Sequence, residues 1–332
     1  MKNVGGIDLN IQANERAISR VGLGCGRMSN ANSDRNESIA TIHAALDAGI
    51  THLNTADFYT SGHNEMLIGE VLKGRNREKA FLSVKFGALV APDGRMYGLD
   101  VRPQHIKNYL TYSLKRLGVD YIDLYQPARI DLAIPVEETI GAISDMVKAG
   151  YVKHIGMTQV DAATLKKAHS VHPISLAEYQ YSLFNRGIEK DIVPAARELG
   201  IDVVAFGTLA HGLLGGTMSK DKVDHGNSYI PLFHKGNIDK NLSLVEGLRE
   251  LAAEKQMTVA QLALAWVLTK GKDIMPLIGA RKVNQLQESM KSLAVHLSES
   301  DVKRIEEAIP VSAIAGGSFP QMQFKHGIVV PQ

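Results

Sequence analysis

Cysteine is almost absent from this 332-residue chain. Cys25 is the only one, so no disulfide can form within a chain and no cysteine zinc cluster can be built. The lack of disulfides suits a reducing compartment, and the cytoplasm is the expected location. A dominant charge is missing too. Lys plus Arg number 37 and Asp plus Glu 35, leaving a formal net charge of +2. That balance is too even for a nucleic acid or an anionic membrane to be the expected partner. No stretch approaches the roughly 18 consecutive apolar residues that span a bilayer. The opening residues, Met1 to Asp8, lack the apolar core of a secretory signal. Metal-ligand spacings are absent as well: there is no His-Glu-x-x-His, no EF-hand loop, and the 12 histidines are scattered. No metal is therefore expected. What is present is an ordinary folded composition, 45% hydrophobic and 22% charged, which excludes disorder over most of the length.

Short apolar runs alternate with amphipathic segments from end to end. Strands are expected near 21–24, 51–54, 80–85, 121–125, 153–157, 174–180, 202–206 and 274–278. Each run is short, rich in β-branched or aromatic side chains, and stops near a Gly, Pro or polar residue. Between them, apolar residues recur three and four apart, as in Ile106/Leu110/Leu114/Leu117 and Ile140/Ile143/Val147. Glycines stand where such helices should stop, at Gly49, Gly150 and Gly200. Repeated β-then-α units imply parallel strands joined by right-handed crossovers. Eight of them without a Pro/Ser linker favour a single α/β domain, residues 1–332, folded as a (β/α)8 TIM barrel. A doubly wound open sheet is the alternative. Pro276 falls inside the last strand pattern, where it forfeits a ladder hydrogen bond. The segment before Val21 reads as an N-terminal lid, 208–240 as a long loop after strand seven, and 311–332 as a C-terminal tail.

In such a barrel the chemistry lies at the carboxyl ends of the strands. The turn Gly22-Leu23-Gly24-Cys25-Gly26-Arg27 carries Arg27 where a dinucleotide fingerprint needs its third glycine, so it reads as a plain turn. The block Asn54-Thr55-Ala56-Asp57-Phe58-Tyr59 is more informative when set beside Ser83-Val84-Lys85-Phe86-Gly87. A lysine ending an apolar strand either snorkels to solvent or works at the barrel mouth. With a phenol beside it, the ammonium gains a chemical purpose. A cation next to a phenol lowers a pKa that is ordinarily about 10 and makes the phenol a usable proton donor.

These blocks, together with Arg20-Val21-Gly22-Leu23-Gly24, Asp120-Tyr121-Ile122-Asp123-Leu124-Tyr125, His154-Ile155-Gly156-Met157-Thr158 and Ala260-Gln261-Leu262-Ala263-Leu264-Ala265-Trp266, make the chain similar to the aldo-keto reductase family over nearly its whole length. The resemblance implies a (β/α)8 barrel that binds NADPH across its top and reduces carbonyls by hydride transfer. It implies Tyr59 as proton donor and Lys85 as its partner. Phe206 falls where an aromatic ring stacks on the nicotinamide, with Gly207, Thr208 and Leu209 following it. Thr158, Gln159 and Glu178 fall where a Ser-Asn pair and a Gln hold the carboxamide, so all three positions are altered. Gly24, Cys25 and Gly26 fall at the cofactor's edge of the barrel top. Gly279, Ala280, Arg281, Gln285, Glu288 and Ser289 match the segment around the adenosine 2′-phosphate. Arg281, with Lys282, suits that dianion and favours NADPH over NADH.

Two catalytic positions depart from the family. Its Asp is Asn54 here, and its His is Ala128 within Gln126-Pro127-Ala128-Arg129. Asn54 can accept a hydrogen bond from Lys85 but brings no counter-charge, so a site richer in positive charge is expected. Phe58, Phe86, Tyr97, Phe319 and Phe324 are candidate apolar walls for a bulky or alicyclic ketone. The resulting reading is an NADPH-dependent reductase of a small carbonyl compound. The alternative is a weakly catalytic or non-catalytic NADP(H)-sensing module. Oligomeric state is not legible.

Overall fold

The alternation read from the sequence closes on itself. In a computed structural model that describes residues 10–13, 16–30, 32–74, 76–216, 218, 230–317 and 322–330, eight parallel strands form a closed barrel. They are Gly22–Gly24, His52–Ala56, Phe81–Phe86, Ile122–Pro127, Val152–Thr158, Ile174–Gln180, Asp202–Phe206 and Ile274–Ile278. Each is hydrogen-bonded to the next in chain order, and the eighth returns to the first. The open-sheet alternative is thereby excluded. Pro276 sits opposite Ala205, and the eighth strand holds because Leu277 and Ile278 carry its pairing to the first strand.

Helices pack outside, beginning with Arg35–Asp47 and His63–Val71 and continuing through Pro103–Leu117, Val136–Lys148 and Ala162–Val171 to Val259–Thr269. Several start on the caps their sequences provide. Asp34 accepts from Glu37 N at 3.0 Å and Asp161 from Thr164 N at 2.7 Å, each satisfying an amide with no helical partner. Thr258 and Gln261 close a reciprocal capping box.

Two apolar layers result. The larger lies between strands and helices. The smaller fills the barrel interior with Ile18, Phe81, Leu124, Leu176, Val204, Met275 and Leu277. Ile18 explains the N-terminal segment. Strands Asn10–Ala13 and Arg16–Ser19 form a hairpin, and Ile18 enters the interior beside Phe81, the first residue of the third strand. The expected lid therefore closes the amino-terminal end of the barrel, opposite the end where the strands deliver their polar residues.

Three further features refine the sequence reading. A hairpin, Ala88–Val90 with Met96–Leu99, follows the third strand. The long loop ends where a helix begins at Asn237, and its residues 217 and 219–229 lie outside the described residues. The tail ends in a second hairpin, Gln323–Lys325 with Ile328–Val330, anchored by fully buried Phe324. Asp131 fixes that hairpin by accepting from the His326 and Gly327 amides. No helix among the described residues is long and apolar enough to cross a membrane.

Candidate active site

Side chains alternate along a strand, so every second residue points into the barrel. In the lower interior these positions are mainly apolar, with His52 enclosed among them. One layer higher they become polar: Asn54 from the second strand, Lys85 from the third, Gln126 from the fourth and Glu178 from the sixth, all buried. The four meet. Lys85 Nζ donates to Asn54 Oδ1 at 2.6 Å and to Glu178 Oε1 at 3.1 Å. Asn54 Nδ2 donates to Glu178 Oε2 at 2.7 Å, and Gln126 Nε2 donates to the same oxygen at 2.7 Å. Gly156 makes room for this arrangement. A Cβ there would lie 2.6 Å from Gln126 Oε1.

The charges follow from the contacts. Burial alone would neutralise Lys85, but the Glu178 carboxylate and the Tyr59 phenol beside it outweigh burial and raise its pKa above the ordinary lysine value. Burial likewise opposes ionisation of Glu178. Lys85, Asn54 and Gln126 overcome it and hold the carboxyl below its usual range. The excess positive charge expected from Asn54 is therefore absent, because a carboxylate from across the barrel supplies what Asn54 cannot. The sequence reading assigned Glu178 to the cofactor's carboxamide. Both of its oxygens already accept from Lys85, Asn54 or Gln126.

Tyr59 lies over this group, with Lys85 Nζ 5.3 Å from its ring centroid. It is half-buried and opens the short turn Tyr59–Gly62, where Thr60 and Ser61 take φ of 49° and 51°. Phe58 packs edge-on against the ring at 5.0 Å. Gly26 approaches from the first strand's turn, where a Cβ would sit 2.8 Å from the Tyr59 ring. Of that turn, Gly26 is the residue against Tyr59, while Gly24 faces Leu277 and Ile278 of the eighth strand. Cys25 is buried, and burial pushes its thiol up to about 12, so no thiolate is available.

The other expected residues fall at strand ends. Thr158 is buried with no partner for its hydroxyl among the described residues. Gln159 takes a positive φ of 52°, and its Oε1 accepts from Gln180 N at 2.9 Å. Such a conformation in a non-glycine residue is strained and clusters at functional sites. Phe206 is half-buried at the end of the seventh strand, with Gly207 and Leu209 also half-exposed. Thr208 is buried, and its hydroxyl is spent on Leu277 O at 3.3 Å.

In the segment after the eighth strand, Gly279 and Arg281 are exposed and Ala280 is buried. Gln285 Oε1 accepts from Arg281 N at 3.0 Å. Glu288 is committed within the protein, to Gln261 at 2.9 Å and Lys291 at 3.1 Å. Ser289 is buried.

Several contributors escaped the sequence reading. Gln126 was named only as the start of the block around Ala128. Arg129 lines a cavity of about 390 Å³ with Gln159, Gln180, Asn185 and Phe324. Burial lowers its pKa, with Glu178 and Tyr59 pulling the other way. Glu37 reaches the segment after the eighth strand, accepting from Val283 N at 3.2 Å. Its signal was an acid in the first turn of the helix Arg35–Asp47. One candidate wall residue is core, and another lines the cavity beside Arg129 while itself buried. Phe86 is buried and stacked on Tyr125 at 4.4 Å, and Phe324 is the hairpin anchor. Phe319 lies outside the described residues. Among the described residues no cluster of three or more His, Cys, Asp or Glu is placed to hold a metal.

Comparison with known proteins places this geometry among relatives. The model of the Aldo/keto reductase family matches residues 20–310. An aldo-keto reductase from Glycine max is 39% identical over 309 residues, covering 91% of this chain and 88% of the relative. Among solved structures, a glycerol dehydrogenase from Gluconobacter oxydans superposes with a TM-score of 0.82 at 30% identity, covering 90% of this chain and 94% of the other. An aldo-keto reductase from Bacillus halodurans, in its holo form, gives a TM-score of 0.75 at 27% identity over 89% of this chain and 94% of the other.

Proposed function

The chain belongs to the aldo/keto reductase family, and from that premise we propose that it uses NADPH to reduce an aldehyde or ketone, with Tyr59 delivering the proton. The observation that carries this reading is Lys85, buried, charged and 5.3 Å from the centre of the Tyr59 ring at the carboxyl end of the barrel. When bound, the reduced nicotinamide supplies hydride. The chain's own residues fit such a group. Thr158 offers an unpartnered hydroxyl where a carboxamide needs one, and Phe206 offers a half-exposed ring. Arg281 and Lys282 offer exposed cations for a 2′-phosphate.

Tyr59 holds the transferable proton, and Lys85 stabilises the phenolate left when that proton reaches the carbonyl oxygen. Asn54 orients Lys85 through the 2.6 Å hydrogen bond. Ala128 supplies no second donor, so the carbonyl depends on Tyr59 alone. A module that only sensed the nucleotide would need neither the ammonium nor the carboxylate paired with it. Phe58 and exposed Tyr97 remain as apolar walls, consistent with a bulky or cyclic ketone.

NADPH oxidation should be screened against aldehydes, cyclic ketones and pyridoxal. One structural relative is a glycerol dehydrogenase, so short hydroxy-carbonyls belong in the same panel. Turnover of at least one class is expected, with NADPH bound more tightly than NADH. Arg281→Ala should erode that preference about tenfold or more, the scale of one charge-assisted hydrogen bond. No turnover across the panel overturns the enzymatic reading, and equal affinity for the two cofactors overturns the 2′-phosphate assignment.

A further inference from the structure

We propose that Glu178 is the counter-ion that sets the charge on the Tyr59–Lys85 pair, and that Asn54 and Glu178 are positioning residues whose acid and amide can be exchanged as a pair. The proposal deepens the reductase reading and rests on it for the role of Tyr59.

Lys85 is 5% exposed, and an ammonium so enclosed needs a partner. Among the described residues the carboxylate within ion-pair reach is Glu178, at 3.1 Å. Three side-chain donors, from Lys85, Asn54 and Gln126, converge on it. A carboxylate held by several donors stays ionised and stays in place.

Lys85, Asn54 and Glu178 form a closed triangle with sides of 2.6, 2.7 and 3.1 Å. Asn and Asp have the same shape, as do Gln and Glu. Exchanging acid and amide across the Asn54–Glu178 hydrogen bond therefore moves one negative charge by about its length and keeps the contacts within the triangle. The Gln126 amide, which now donates to Glu178 Oε2, turns over so that its unpartnered Oε1 accepts instead. Lys85 would still have one carboxylate and one amide. Removing the carboxylate without replacing it leaves the ammonium unbalanced, and the phenol then loses its proton at lower pH.

Other ionisable groups face the pair. Arg129 approaches from the end of the fourth strand and remains cationic in every variant. Cys25, on the first strand's turn, is kept protonated, with its thiol up at about 12. His52 lies lower on the second strand and is kept neutral, with its pKa down to about 4. None of the three changes charge in the neutral range.

The test compares the full-length protein with Glu178→Gln and with the double variant Asn54→Asp/Glu178→Gln. Ionisation of the Tyr59 phenol is followed by ultraviolet difference in cofactor-free protein, each form measured against its own Tyr59→Phe partner. The pH profile of NADPH-dependent turnover and the melting temperature are recorded alongside. Glu178→Gln should lower the ionisation midpoint, and with it the alkaline limb of turnover, by about one pH unit or more. The double variant should return both to within a few tenths of a unit of wild type. A purely structural Glu178 would instead lower turnover at every pH and leave the midpoint unmoved, which overturns the proposal. So does a double variant that fails to return or fails to fold. If Glu178→Gln itself does not fold, a folded double variant with a wild-type midpoint still establishes the exchange. If wild type reduces no carbonyl, the reductase reading fails by itself, while the ionisation midpoints still decide the charge assignment.

Discussion

His52 and Asp57 bracket the second strand and carry opposite penalties of burial. His52 is enclosed against Met275 and Phe81, and burial lowers its pKa from 6.5 to about 4. Asp57 has an unpartnered Oδ1 among the described residues, and burial followed by repulsion from Glu65 raises its pKa from 3.8 to about 7. Between about pH 4 and 6.5 the unfolded state holds a proton on His52 that the fold refuses, so this residue makes stability rise with pH. Over nearly the same window the fold holds a proton on Asp57 that the unfolded chain has lost, so stability falls with pH. Each slope is about 1.4 kcal/mol per pH unit at most, and in wild type they largely cancel. Urea titrations from pH 4.5 to 6.5 should show Asp57→Asn gaining stability with rising pH relative to wild type, and His52→Leu losing it. Parallel curves for all three proteins would contradict both shifts. Tyr59 and Lys85 were legible as a pair because each sits in a recognisable block at the end of a strand. Glu178 was not legible as the partner of Lys85, since residues 93 positions apart meet there only through barrel closure.

Among the elements, the eight barrel strands were readable because each is a short apolar run bounded by breakers, and they fall within about two residues of expectation. The hairpin after the third strand was not anticipated, although its turn, Ala91-Pro92-Asp93-Gly94-Arg95, carries a clear signal. Asp93 Oδ1 accepts from Arg95 N at 3.0 Å, as such a turn requires. The C-terminal hairpin gave no such warning. Its strands are three residues each and are held by Phe324, Asp131 and the amide of Leu99, which donates to Gly327 O at 2.9 Å. Long-range anchors of that kind leave no periodicity in a sequence. Phe324→Ala should cost about 3–5 kcal/mol if the hairpin melts with the barrel, read as a shift in the unfolding midpoint. A loss below about 1 kcal/mol would mean that the hairpin unfolds separately and contributes little to global stability.

For the molecule as a whole, the barrel separates stability from chemistry. Its lower interior is mainly apolar and plugged by Ile18, and its upper interior is a buried ionic network beneath Tyr59. A ligand bound only by the folded state stabilises it by about 2.7 kcal/mol at one hundred times its dissociation constant. NADPH should therefore raise the melting temperature, and NADH at equal concentration should raise it less. Identical shifts would contradict the role given to Arg281. The most direct measurement is turnover of Tyr59→Phe on the best substrate from the screen, paired with its NADPH affinity by fluorescence titration. Loss of a positioned proton donor should reduce turnover by about 10²–10⁴-fold while the dissociation constant stays within about twofold. Wild-type turnover from the phenylalanine variant would contradict the assignment of Tyr59 as the residue that protonates the carbonyl oxygen.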